Sequence, residues 1–117
     1  PLGPFYAPAD ALVTLGEAEG LWEMGEDQSD EAAEAMIVDR LRGATFLPVL
    51  ELLDEEVAAA ADVDTGASLA LKFGKPPCAL MDELGKDEVA RLVTPIAERY
   101  GAALPKNLDR VGALVSA

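Results

Sequence analysis

The sequence predicts an all-α protein, a compact helix bundle, and three observations carry that expectation. No segment alternates apolar and polar residues at period two, and no β-α-β rhythm runs along the chain. Alanine is abundant while aromatic residues make up only 5% of the chain, a balance that favours closely packed helices over a sandwich. Apolar residues recur at spacings of three and four, in blocks separated by Gly and Pro. At 117 residues and 50% hydrophobic content the chain can bury a real core, although a domain of this size is only modestly stable.

The elements follow in order. After Pro1, Pro4 and Pro8, a short helix is expected from Ala9 to about Glu19. Gly20, Gly25 and the acidic Glu26-Asp27-Gln28 form a linker, so residues 1–28 stand apart from a helical domain over 29–117. Ser29 is the expected N-cap of the next helix, with Asp30 and Glu31 favourable at its positive end. That helix carries Ile37, Val38 and Leu41 on one side, and Gly43 and Pro48 predict a kink or break. Leu47, Leu50, Leu53 and Val57 keep helical spacing beyond it. Asp62 or Asp64 begins a further helix bearing Leu69 and Leu71 and ending at Gly74. Lys75-Pro76-Pro77 turns the chain, and a short helix runs from Cys78 to Leu84, where Gly85 stops it. Another spans Asp87 to Tyr100 with Val89, Leu92, Val93, Ile96 and Tyr100 on one face. A last helix uses Leu108, Val111 and Leu114 or Val115.

Charge narrows the partners. Against 9 basic residues stand 22 acidic ones, a net charge of −13. Such a surface repels nucleic-acid phosphates and anionic membranes, so neither is an expected partner. The same excess suits a high-salt setting, where screening removes self-repulsion, as well as it suits an ordinary acidic domain. No apolar run approaches the roughly 18 residues of a membrane span, and Pro1-Leu2-Gly3-Pro4 has no signal-peptide character. The single cysteine, Cys78, has no internal disulfide partner, so a reducing cytoplasm is the expected location.

Chemistry is sparse. The chain has no histidine, which removes Ser-His-Asp, Cys-His and most zinc arrangements. Its ten glycines never fall as Gly-x-Gly, so it holds neither a dinucleotide fingerprint nor a phosphate loop. Asp62-Val63-Asp64-Thr65-Gly66 is similar to the start of a calcium loop, but Phe73 stands twelfth where a bidentate Glu is required. Glu26, Asp27, Asp30, Glu31 and Glu34 read as a solvated acidic face. Cys78 reads as a buried helix residue rather than a reactive thiol, and Trp22, with Leu21 and Met24 near it, as a packing anchor. No catalytic, cofactor-binding or metal residue is expected on this chain.

Two stretches carry a resemblance. Ile37-Val38-Asp39-Arg40-Leu41, then Phe46-Leu47-Pro48-Val49-Leu50-Glu51-Leu52-Leu53-Asp54-Glu55, runs on to Ala61-Asp62-Val63-Asp64-Thr65-Gly66. Pro77-Cys78-Ala79-Leu80-Met81-Asp82-Glu83-Leu84-Gly85 follows. In order and spacing, over about residues 37 to 100, these resemble the C-terminal helical domain of the 3-hydroxyacyl-CoA dehydrogenases. The resemblance implies an Asn at the position of Asp39, contributing to an active site beside a His-Glu pair on a nucleotide-binding domain. A carboxylate replaces poorly an amide that donates as well as accepts. The family's Pro-x-Gly-Pro turn is shortened here to Pro76-Pro77. Both departures read as a degenerate copy of the domain, kept for architecture. Pro1-Leu2-Gly3-Pro4-Phe5 looks like the missing turn, and Phe5-Tyr6-Ala7-Pro8 with Leu12 and Leu15 resembles the family's tail, as does Leu104-Pro105 with Leu108 and Leu114. Residues 1–28 then read as the remnant or tail of a preceding repeat plus a linker, as in multifunctional β-oxidation proteins.

The resemblance implies the helical domain of an NAD-dependent oxidoreductase of fatty-acid β-oxidation, with NAD and the acyl-CoA substrate belonging to the parent enzyme. Its expected contribution is dimerisation and closure of the acyl-CoA cleft, as a homo-oligomer or packed on a nucleotide-binding domain, while this chain alone is inactive. Leu47, Leu50 and Leu53, with Leu80, Met81 and Leu84, are the candidate interface residues; an internal core is the other role open to them, and the one that suits the long-helix leucines better. A free-standing helical interaction module without metabolic chemistry is the alternative. A small acidic metal or cofactor carrier fits worse, for want of histidine and of a complete calcium loop.

Overall fold

The computed structural model describes residues 8–21, 23, 25, 26 and 28–116. They form α1 (Asp10–Glu17), α2 (Glu31–Asp54), α3 (Ala60–Ala70), α4 (Pro77–Leu84), α5 (Lys86–Tyr100) and a 3-10 turn, Lys106–Arg110. No strand occurs among them, as the sequence predicts. The tail-like Pro1–Ala7 segment and the expected packing anchor Trp22 lie outside the described residues. Among the described residues no helix is long and apolar enough to cross a membrane.

The longest element corrects two expectations. Asp30, not Ser29, caps α2: its backbone is extended, and its carboxylate accepts the Ala32 and Ala33 amides at 3.1 Å each. Nor does the helix break at Gly43 or Pro48; it runs unbroken for 24 residues. Pro48 lacks the N–H that would bond the Ala44 carbonyl, yet both residues are exposed, so water can take that oxygen. Phe46, Leu47, Val49 and Leu50 on the opposite side are buried and hold the helix down. Gly43 serves contact rather than bending. A Cβ there would overlap the Leu92 carbonyl oxygen and come within 2.9 Å of Ile96 Cγ1, so only glycine allows α2 to lie this close to α5.

The core sits where α2, α4, α5 and the 3-10 turn meet. Phe46, Leu50, Cys78, Met81, Val89 and Val93 are its most deeply buried side chains, each worth roughly 1.5–3 kcal/mol of transfer for the larger apolar groups. In α5, Gly85 (φ +83°) sits at the N-cap, and Gly101 (φ +66°) closes the end, with the Ala102 amide on the Ala97 carbonyl at 2.9 Å. Tyr100, expected on the apolar face, is exposed, because it follows the last buried turn at Ala97.

Three aspartates tie separate elements together, and two of them overturn expected boundaries. α3 begins at Ala60 rather than at Asp62 or Asp64, and ends at Ala70 rather than Gly74, with Lys72 taking a left-handed φ of +57°. Asp64 is buried inside α3, where its carboxylate accepts the Cys78 amide at 2.8 Å and the Ala79 amide at 2.9 Å. It is the N-cap of a different helix, α4, whose own N-cap residue Pro76 has no side chain for the task. Leu69, carried by α3 as expected, and Leu71, just past its end, are exposed to solvent. Asp54, ending α2, accepts the Lys106 amide at 2.6 Å and both the Asn107 amide and Nδ2 at 2.7 Å. Asp82 accepts the Gly112, Leu114 and Val115 amides at 2.8–3.0 Å. Those amides are therefore withdrawn from helical bonding, and Gly112 stands at φ +105°, which replaces the expected last helix with turns. Leu108 and Leu114 are still buried, and Val111 packs on the core.

Candidate functional site

A groove of about 720 Å³ opens between the first half of α2 and α5, beside the close approach at Gly43. Met36, Leu41, Ala44, Leu92, Pro95, Ile96 and Tyr100 make its apolar lining, and Asp39, Arg40, Arg91 and Arg99 its polar part. Met36 and Leu41, and Ile37 and Val38 beside them, are 43–65% exposed. Ile37, Val38 and Leu41 are the residues the sequence placed on one side of the helix, Met36 joins them, and nothing among the described residues covers them. An apolar half-helix thus lies open next to one that is packed.

At the centre of this surface the Asp39 position is occupied by an ion pair. Arg91 Nη1 and Nη2 donate to Asp39 Oδ2 and Oδ1 at 2.7 and 3.1 Å, and Nε and Nη2 donate to Glu88 at 2.8 and 2.7 Å. The guanidinium thus joins α2 to α5 with carboxylates on two sides. Its hydrogen bond holds the Asp39 carboxyl below the ordinary carboxylate value, burial opposing and the charges of Arg91 and Arg42 assisting. Glu88 is lowered in the same way by Arg91, and Arg91 is raised by Glu88 and Asp39. A carboxylate so held keeps its charge near neutral pH and is a weak base, so Asp39 spends its chemistry on an ion pair.

The remaining chemically interesting groups are equally committed. Burial pushes the Cys78 thiol up to about 12, with the Asp64 and Asp82 carboxylates adding to the shift, so it stays an unreactive thiol at neutral pH. Asp62-Val63-Asp64-Thr65-Gly66 is helical and its buried carboxylate faces α4, which is not how a cation-wrapping loop is built. A dinucleotide does not fit these residues either. Every α-helix has a carboxylate at its N-terminus: Asp10 on α1, Asp30 with Glu31 on α2, Asp62 on α3, Asp64 over α4, Asp87 with Glu88 on α5. The positive helix ends where a pyrophosphate would sit are therefore occupied by negative charge.

Of the candidate interface residues, Leu47, Leu50 and Met81 are 0–5% exposed and belong to the core, while Leu53, Leu80 and Leu84 are partly buried against it. Leu47, Leu50 and Met81 thus lie in the internal core, the other role the sequence allowed them. The open surface is formed instead by Met36, Leu41 and their neighbours, which helical spacing alone made equivalent to the core leucines.

The family described as 3-hydroxyacyl-CoA dehydrogenase, C-terminal domain, matches residues 36–115, more than half of the chain. The chain belongs to that family. Searches of curated proteins and of solved structures gave no match.

Proposed function

We propose that this member of the 3-hydroxyacyl-CoA dehydrogenase C-terminal domain family is the helical part of an NAD-dependent enzyme of fatty-acid β-oxidation, contributing dimerisation and closure over the acyl-CoA cleft rather than catalysis. The match over residues 36–115 is the observation that carries the reading. In such an enzyme hydride passes between C3 of the acyl group and the nicotinamide, both held against a nucleotide-binding domain. What this chain adds is apolar surface, from Met36 to Leu41 on α2 and along α5, which excludes water where it docks. Residues 1–28 fit the remnant or tail of a preceding repeat with its linker. A cytoplasmic setting belongs to the same reading, supported by the lone, buried Cys78.

The test is a nicotinamide assay. The purified chain, given acetoacetyl-CoA and NADH, is expected to show no oxidation of NADH at 340 nm above the blank. Turnover by the chain alone would place catalytic groups here and overturn the division of labour. The absence of histidine also favours a second reading, a helical interaction module with no metabolic chemistry. A strand-turn-helix segment with Gly-x-Gly-x-x-Gly and a histidine upstream in the full reading frame decides for the first; a full frame without them decides for the second.

A further inference from the structure

We infer that this chain is a salt-requiring fold: self-repulsion of its carboxylates opposes the bundle in dilute buffer, and ionic strength sets how much of it is folded. An α-helix is an electric dipole whose C-terminal end is negative and is stabilised by cations in its last turn. Among the described helices only α5 has such a cation, Arg99, while α1, α2, α3 and α4 have none. Carboxylates stand at three of those ends instead: Glu17 on α1, Glu51 with Asp54 and Glu55 on α2, and Asp82 with Glu83 on α4. Glu51 and Glu55 are also four residues apart, a spacing at which like charges repel along a helix face.

Compensation is thin. Four of the 22 carboxylates, Glu83, Asp109, Asp39 and Glu88, pair with cations among the described residues, and those pairs lie at the surface, where each contributes little. The clasps of Asp64, Asp54 and Asp82 run to backbone amides, so they hold helices without cancelling charge. A net charge of −13 is thus set against a small core, with Phe46, Leu50, Met81, Val89, Val93 and Cys78 its largest fully buried side chains. Screening decides the sign. At 0.02 M salt the Debye length is about 20 Å, longer than the radius of gyration of about 13 Å for a compact domain near this size, so charge on one side of the bundle is felt on the other. At 0.5 M it is about 4 Å, and only adjacent groups still interact. Added salt removes the long-range repulsion and leaves the short carboxylate–amide bonds in place. The unfolded chain holds the same charges farther apart and gains less.

Urea unfolding of the full chain across a series from 0.02 to 1 M KCl tests this. The unfolding equilibrium constant at a fixed urea concentration is expected to fall at least tenfold between 0.02 and 0.5 M KCl. Choline chloride is expected to do the same, because screening depends on ionic strength and not on the cation. Glu51→Gln/Glu55→Gln is expected to be more stable than the natural chain at 0.02 M and within twofold of it at 1 M. Glu31→Gln/Glu34→Gln removes the same charge from the positive end of the same helix and is expected to gain less than half as much. Stability that stays flat or falls with KCl overturns the inference, and so does a gain confined to KCl, the mark of a bound cation. Equal gains from the two pairs overturn the part assigned to the negative helix ends.

Discussion

Asp64, Asp54 and Asp82 show how a residue that looks available for chemistry is used up by the fold. Each belongs to a stretch that carries the family resemblance, and each accepts two or three hydrogen bonds from another element. Removing Asp64 leaves two α4 amides without a partner at a buried site; Asp64→Ala is expected to cost about 2–3 kcal/mol in urea unfolding, and Asp64→Asn about half as much. Equal stability of Asp64→Ala and the natural chain would refute the clasp. Asp54 gives a pH signature. Burial opposes its charge, but the Asn107 and Lys106 donors win and its carboxyl is held below 3.8. The folded-state value is the lower one, so the stabilisation is complete above the unfolded value and is lost as pH falls through the folded one. The stability gap between the natural chain and Asp54→Asn should therefore be constant from pH 7 to 5 and shrink below about pH 4. A gap that is unchanged at pH 2.5 would contradict this. Gly43→Ala, which drives a methyl into the Leu92 carbonyl, is expected to destabilise by about 1–3 kcal/mol although alanine is the better helix former.

Helices whose ends are set locally were legible in the sequence. α5 ends at Gly101 and α4 lies between Pro77 and Gly85, because glycine and proline act within their own turn. Where a distant partner decides, the sequence misled. Gly43 and Pro48 read as breakers, but the first is a contact glycine under α5 and the second sits on the wet face of α2. Asp64 read as a cap of its own helix and proved to cap the next, since a carboxylate's spacing does not reveal which amides lie across from it. The expected last helix is cut to one 3-10 turn, Lys106–Arg110, because Asp82, thirty or more residues away, takes the amides beyond it. Pro48 offers the test at this scale. With no N–H at an exposed interior position it forgoes a helical bond, so Pro48→Ala is expected to raise stability by about 1–3 kcal/mol, read from thermal and urea melts. A loss of stability would mean that the proline ring itself is packed.

At the level of the whole molecule, the all-α class and the absence of histidine were plain from composition, whereas the site was only half legible. Met36, Ile37, Val38 and Leu41 have the same helical spacing as Phe46, Leu47 and Leu50, and nothing local distinguishes a stripe that meets α5 from one that meets solvent. Only the packing of α2 across α5 separates them. The molecule is a small bundle whose carboxylates clasp its helices and block their positive ends, with an arginine-lined apolar groove open between α2 and α5. Hydrogen exchange of the clasped amides tests this arrangement most directly. Cys78, Ala79, Lys106, Asn107, Gly112, Leu114 and Val115 are predicted to exchange slowly in the natural chain. Asp64→Ala, Asp54→Ala and Asp82→Ala should each release their own partners first. Rapid exchange of these amides with all three aspartates in place would contradict the account.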